Sequence, residues 1–299
     1  MSQQTSPYVS RGILCTIAGG ICWGFSGACG QYLFSHYGIS PLWLTCVRLL
    51  VGGILLTLIA FPRHREKMQN IWKHPKDVFF LVLYGVFGLF MFQFAFMTAV
   101  SYSNAATATV LQTLNLVLIM LFTCLRMRRR PNRLELISLL LALFGTFLIA
   151  TGGDPAHLVI STRGLFWGLA NAVAMAFYTL LPRSMLPVWG AEVMTGYGML
   201  IGGIVSNLFA HSWEITVSLP LPGWLAVLAI IIVGTVMSFT LYTQGVSDIG
   251  PVRASMLACT EPLAATLFSF LWLGTTFSPA DLLGFSAILA IIFLLSKTQ

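Results

Sequence analysis

Charge is scarce in this sequence: Asp, Glu, Lys and Arg make up 8% of its 299 residues, where soluble domains carry about 25%. The 16 basic and 9 acidic side chains are too few to cover the surface of a water-soluble fold of this length. An ordinary soluble domain is therefore excluded, and a disordered or collagen-like chain with it. Paired cysteines are also missing. Cys15, Cys22, Cys29, Cys46, Cys124 and Cys259 lie in apolar segments with no CxxC among them, so neither a disulfide framework nor a metal site is expected. The seven-residue spacing of the first three puts them on one helix face as small packing residues. Catalytic signatures are absent as well. The histidines (His36, His64, His74, His157, His211) fall in loops or at the edges of apolar runs, with no HExxH, nucleophile elbow or GxxxxGK[ST]. No enzyme, cofactor or ATP-driven pump is expected, and nothing suggests the carbonyl or charge rings of a channel.

What the chain does have is apolar length. Hydrophobic residues make up 57% of it, and its mean hydropathy is +0.87. An α-helix needs about 20 apolar residues to cross a hydrocarbon core about 30 Å thick. Ten runs bounded by turn or charge signals meet that need: Gly12 to Phe34, Pro41 to Phe61, Val78 to Val100, Asn104 to Leu125, Leu134 to Ala150, Gly164 to Leu181, Gly190 to Ala210, Gly223 to Gly245, Pro251 to Leu273 and Pro279 to Ser296. The first is too long for a signal peptide, and a similar segment recurs mid-chain. The runs are about twice the length of transmembrane β-strands. The expected fold is all-α and integral to the membrane.

Basic residues set the orientation. With ten spans, one side holds Arg11, Arg63, Arg65, Lys67, Lys73, Lys76, Arg126, Arg128, Arg129, Arg130, Arg133, Arg183, Arg253 and Lys297, and the other only Arg163. This bias puts both termini in the cytoplasm. A nucleic-acid or anionic-lipid patch is the alternative use of the RMRRR run at 126–130, but topology alone accounts for it.

A shift of 144 residues lays Gly20, Trp23 and Gly24 on Gly164, Trp167 and Gly168. A shift of 146 lays Gly88, Ala108 and Leu111 on Gly234, Ala254 and Leu257. Each half, 1–150 and 151–299, holds five spans. An odd number inverts the second half relative to the first, the architecture of secondary transporters with a central site near the bilayer midplane.

At this point the residues match a family. The chain resembles, over its whole length, the drug/metabolite transporter superfamily and specifically its EamA-type bacterial members of ten spans. The matching pieces are WGFSG after Gly20, Pro41 followed by Arg48, SNAATATVLQ, and GPVRASMLACTEPL. The resemblance implies an inner-membrane carrier with a cavity formed by helices one to four and six to nine, and export of amino acids or other small metabolites. Two pieces depart from the pattern: Asn115-Leu116 stands where a Pro often follows, and Leu273-Gly274-Thr275 replaces an acidic residue after helix nine.

Charges inside spans cost about 2.5–3.5 kcal/mol each on insertion scales, so each marks a candidate site. Glu261, near the midplane and followed by Pro262, is expected to line the cavity and to bind an ammonium group or take up a proton. A buried acid that only packs helices is the alternative. Pro262 frees a carbonyl near Ala258 and predicts a kink. Arg48, in helix two, is a candidate for coupling or gating, either paired with Glu261, binding a substrate carboxylate or orienting its helix. Arg253 and Glu192 lie near span ends, where long side chains reach water, and either could serve an inner gate. Asn115, the repeat counterpart of Glu261, leads the neutral candidates for substrate contact, with Gln93, Gln112, Asn171, Tyr178 and Tyr242. Interhelical hydrogen bonding is the alternative use of each. Trp23 and Trp167, at matched positions, could form an apolar or cation-accepting wall with Phe94, Tyr178 and Tyr242. Tryptophans near span ends fit interface anchoring.

The expected function is secondary transport of a small metabolite, an amino acid or related amphipathic compound, by alternating access with export preferred. Its partners are the substrate, the bilayer and, as a coupling ion, the proton. A lipid or lipid-carrier flippase of the same superfamily is the alternative.

Overall fold

The computed structural model describes residues 7–126, 128, 130–154, 159–249, 254, 257–258 and 260–296. All regular structure among them is helical. The longer helices are α1 (Pro7–Tyr37), α2 (Pro41–Asn70), α3 (Pro75–Tyr102), α4 (Ala105–Arg126) and α5 (Arg133–Thr151), followed by α6 (Thr162–Leu180), α7 (Ala191–Ala210), α8 (Leu221–Ile249), α9 (Thr260–Leu271) and α10 (Pro279–Ser296). The helices from α1 to α8 are each long and apolar enough to cross a membrane. The protein is a multi-pass membrane protein. Described α9 has 12 residues, because much of the expected span before it lies outside the described residues.

Helix starts follow from local chemistry. Pro occupies the first turn of α2, α3 and α8, where its missing N–H has no partner to lose. Asn104 caps α4 by accepting from the Thr107 N–H at 2.8 Å. Asn132 and Glu135 close a capping box at α5, with bonds of 2.9 and 2.7 Å. Gly152, at φ 63°, ends α5 in the left-handed conformation that a side chain resists.

The apolar side chains of α5, such as Leu140, Leu143 and Phe144, are exposed, as expected where the surrounding medium is hydrocarbon. Polar side chains go inward: Arg48, Gln93, Gln112, Asn115 and Asn171 are buried. Small residues bring the helices together. A Cβ on Gly24 would lie 2.7 Å from the Glu261 carbonyl oxygen, and one on Gly202 would lie 2.5 Å from that of Gly85. Both obstacles are backbone, so neither can swing away. Gly24→Val is expected to separate α1 from α9 and to cost about 1–3 kcal/mol through overpacking, read as a lower melting temperature in detergent. An unchanged melting temperature would mean that this crossing tolerates a side chain.

Three irregularities matter for the site. The first two are π-helical stretches, Tyr84–Phe90 in α3 and Ile232–Met237 in α8; such turns cluster at functional positions. The third is a break in α4 between Gln112 and Asn115, bridged by i→i−3 bonds such as Leu114 N–H to the Leu111 carbonyl at 3.1 Å. A similar turn precedes α9, where the Glu261 N–H donates to the Ala258 carbonyl at 2.9 Å. Pro262 accordingly sits in the first turn of a restarting helix, and the carbonyl expected to be freed is taken by the neighbouring N–H.

Candidate functional site

Glu261 stands in the first turn of α9, where the helix dipole favours a negative charge. It is half-buried. Gln112, the last residue before the break in α4, donates from Nε2 to Glu261 Oε1 at 3.4 Å. Asn171 of α6 donates from Nδ2 to Gln112 Oε1 at 3.1 Å. Three of the expected site residues thus form one hydrogen-bonded chain across three helices. Asn171 and Gln112 are buried, and the Asn171 Oδ1 has no partner among the described residues. Among the described residues Glu261 accepts one long bond, and a carboxylate has further lone pairs for a cation or a donor.

Arg48 is 4% exposed. Its Nε donates to Thr235 Oγ1 and its Nη2 to the Gly234 carbonyl, both at 2.8 Å. Both partners lie in the π-helical stretch of α8, where Thr235 Oγ1 itself donates to the Ile230 carbonyl at 3.0 Å. Glu261 is therefore not the direct partner of Arg48: no ion pair joins them among the described residues. A backbone carbonyl and a hydroxyl hold the guanidinium, which fixes the register of α8 against α2.

The aromatic candidates fall in three groups. Trp23 packs on Phe239 and Tyr242 of α8, each with centroids 5.1 Å away. Trp167 packs edge-on against Phe94 of α3 at 5.2 Å. Tyr178 stacks between Tyr84 and Phe92, at 5.7 and 5.5 Å. Gln93 is 2% exposed and neither amide atom has a partner among the described residues, which is costly in an apolar surround. Asn115 is buried one turn beyond Gln112. Arg253 lies outside the described residues, as does Cys259.

Polar contacts also tie the bundle at both ends, and sequence reasoning missed them. At the end carrying the basic loops, Arg11 of α1 makes a two-pronged bond to Asp248 of α8, at 2.8 and 2.7 Å, and Gln244 donates to the same carboxylate. Glu192 meets His64 at 3.0 Å, beside the kink after Pro62 in α2. At the opposite end, Gln31 Oε1 accepts from the Ala105 N–H and from Ser269 Oγ, while its Nε2 donates to Thr275 Oγ1. Ser161 Oγ donates to the Tyr102 carbonyl, and the Arg163 guanidinium lies over the Tyr102 ring. Gln31 was findable as an amide inside an apolar run. Thr235 carried no such signal.

Known proteins resemble the chain throughout. The EamA-like transporter family matches residues 10–151 and again 162–297. A Salmonella typhimurium protein named as an uncharacterized inner membrane transporter, YicL, is 37% identical over 96% of this chain and 95% of its own. The Bacillus subtilis protein YwfM, named as an uncharacterized transporter, is 24% identical over 92% and 90%. A solved crystal structure with 20% identity superposes with a TM-score of 0.67, covering 97% of both chains, which is a likeness of fold.

Proposed function

We infer, from the premise that this chain belongs to the EamA-like transporter family, how a multi-pass membrane transporter of this shape works. Its substrate is a small amphipathic metabolite, an amino acid or related compound, that crosses the inner membrane by alternating access with export preferred. The carrying observation is the Asn171–Gln112–Glu261 chain. It joins helices from both family-matched segments where α4 and α9 break, and transporters build midplane sites from such discontinuous helices. The acid binds an ammonium group or takes up a proton, and the amides fix its orientation. Trp23 and Tyr242 supply an aromatic wall. Asn115, Gln93 and Tyr178 complete the substrate contacts as the helices move, with Arg48 and Arg253 in coupling or gating.

The proposed architecture is ten spans in two inverted five-helix repeats, 1–150 and 151–299, with both termini cytoplasmic. Packing supports it. α1 lies on α8 and α9 as α6 lies on α3 and α4, while α2 pairs with α7 and α5 with α10. The edge-on contact of Trp23 with Phe239 has a counterpart in Trp167 with Phe94, with interplanar angles of 78° and 76°. Each half has one π-helical stretch in its third span. On this reading the Arg11–Asp248 pair closes the cytoplasmic end, and the Gln31 and Tyr102 contacts close the other.

A thermal-shift screen of amino acids, amines and nucleosides against the purified protein tests the substrate class, because a ligand stabilises the state it binds. Flux of the stabilising compounds into liposomes, set beside movement of labelled lipid, then separates a metabolite carrier from a flippase. Lipid movement without metabolite flux would overturn the proposal.

A further inference from the structure

One cavity lies away from the polar chain. It has a volume of about 470 Å³ and runs between α9 and α10. Its α9 wall is Leu263, Thr266, Leu267 and Phe270, and its α10 wall is Leu282, Phe285, Ser286 and Leu289. Both sets follow the i, i+3, i+4, i+7 spacing of a single helix face. Val110 of α4 and Phe277 complete the lining. Two consecutive helices with facing apolar stripes normally close on each other. Here α10 packs against α5 and α9 against α1 and α4, with no comparable contact between α9 and α10 among the described residues.

The lining identifies what fills the gap. Its two hydroxyls are already satisfied, Thr266 Oγ1 by the Pro262 carbonyl and Ser286 Oγ by that of Leu282, both at 2.8 Å. Nothing in the walls calls for water or a polar headgroup. Leu263, Leu267, Phe270 and Leu282 are more than half exposed or nearly so, and the medium they face is hydrocarbon. Along α10 the lining runs from Leu282 to Leu289, about 10 Å at helical rise, which lies within the about 15 Å of one leaflet. A helix from a second copy, about 10–12 Å across with its side chains, is too thick for this volume along that length, whereas a single acyl chain is not.

We propose that the cleft between α9 and α10 is a binding site for one acyl chain of a phospholipid from the leaflet opposite the basic loops. The cleft is separate from the substrate site. On α9 its stripe is centred about 180° around the helix from Glu261, and Val110 and Gln112 point about 160° apart on α4. The chain therefore props the far faces of the two helices that carry the Gln112–Glu261 bond.

The test uses the full-length protein in nanodiscs of phosphatidylethanolamine and phosphatidylglycerol, with a trace of phosphatidylethanolamine carrying a diazirine in one acyl chain. After irradiation, adducts on 263–270 and 282–289 are expected to exceed those on the lipid-facing Leu140, Leu143 and Phe144 of α5 about tenfold, the ratio that ~1.4 kcal/mol of preference produces. Ser286→Phe, which fills the cleft, is expected to reduce those adducts to the α5 level. Thr266→Phe serves the same purpose from the other wall should Ser286→Phe fold poorly. Adducts retained in Glu261→Gln would keep the lipid site apart from the transport reading. Labelling equal to that of α5, or unaffected by both fillings, overturns the proposal. So does efficient disulfide formation between two copies carrying Ser286→Cys, which would assign the cleft to a second copy.

Discussion

Glu261→Gln is expected to lower transport of an ammonium-bearing substrate by about 10- to 100-fold, since a hydrogen bond to a charged group contributes about 1.5–3 kcal/mol. The replacement keeps the shape and a bond to Gln112, so the fold is retained and the loss reports charge alone. Glutamine binds no proton, so whatever transport remains is expected to lose its pH dependence. Flux into liposomes across a pH series, at matched protein recovery, measures both effects. An unchanged rate and pH profile would remove Glu261 from the mechanism and leave it as an acid that packs helices.

Arg48→Met separates stability from function more sharply. Removing the guanidinium relieves about 2.5–3.5 kcal/mol of burial cost and strands the Gly234 carbonyl at about 1–3 kcal/mol. These oppose one another, so melting is expected to move little. Transport is expected to fall more than about tenfold, because the π-helical stretch of α8 loses the two bonds that fix it to α2 and a 1.4 kcal/mol shift in register equilibrium suffices. Arg48→Lys is expected to fail as well, since one ammonium cannot reproduce a planar fork. Exchanging the charges of Arg48 and Glu261 is expected to give no rescue. Melting that falls in step with transport would make Arg48 a structural residue only, and rescue by the exchange would restore the direct pairing.

Much of the helical layout is legible because it is local. Hydropathy over 20 residues marks a span, and Pro41 and Asn104 mark starts that the caps bear out. Glu261 and Gln112 stand out for a similar reason, as polar groups in apolar runs. Their meeting does not, since it joins residues 149 apart, and the Arg48 contact with Thr235 joins residues 187 apart. Long-range partners depend on how helices rotate and cross, which composition does not encode. A reading for charge offers Glu261 as one of three uses of Arg48, beside a substrate carboxylate and the orientation of its own helix. The structure instead satisfies the guanidinium with a carbonyl and a hydroxyl, groups that a reading for charge passes over. The π-helical stretches have no compositional mark, and the cleft between α9 and α10 is an absence of packing between two apolar faces.

On the proposed mechanism the polar centre at Glu261 and Gln112 opens in turn to each side of the membrane. A single cysteine at Gln112→Cys, with the six native cysteines replaced, measures this directly through a membrane-impermeant maleimide added from either side of oriented vesicles. Labelling is expected from both sides, with each slowed by a compound that raises the melting temperature. Labelling from one side only, whatever ligand is present, would contradict it.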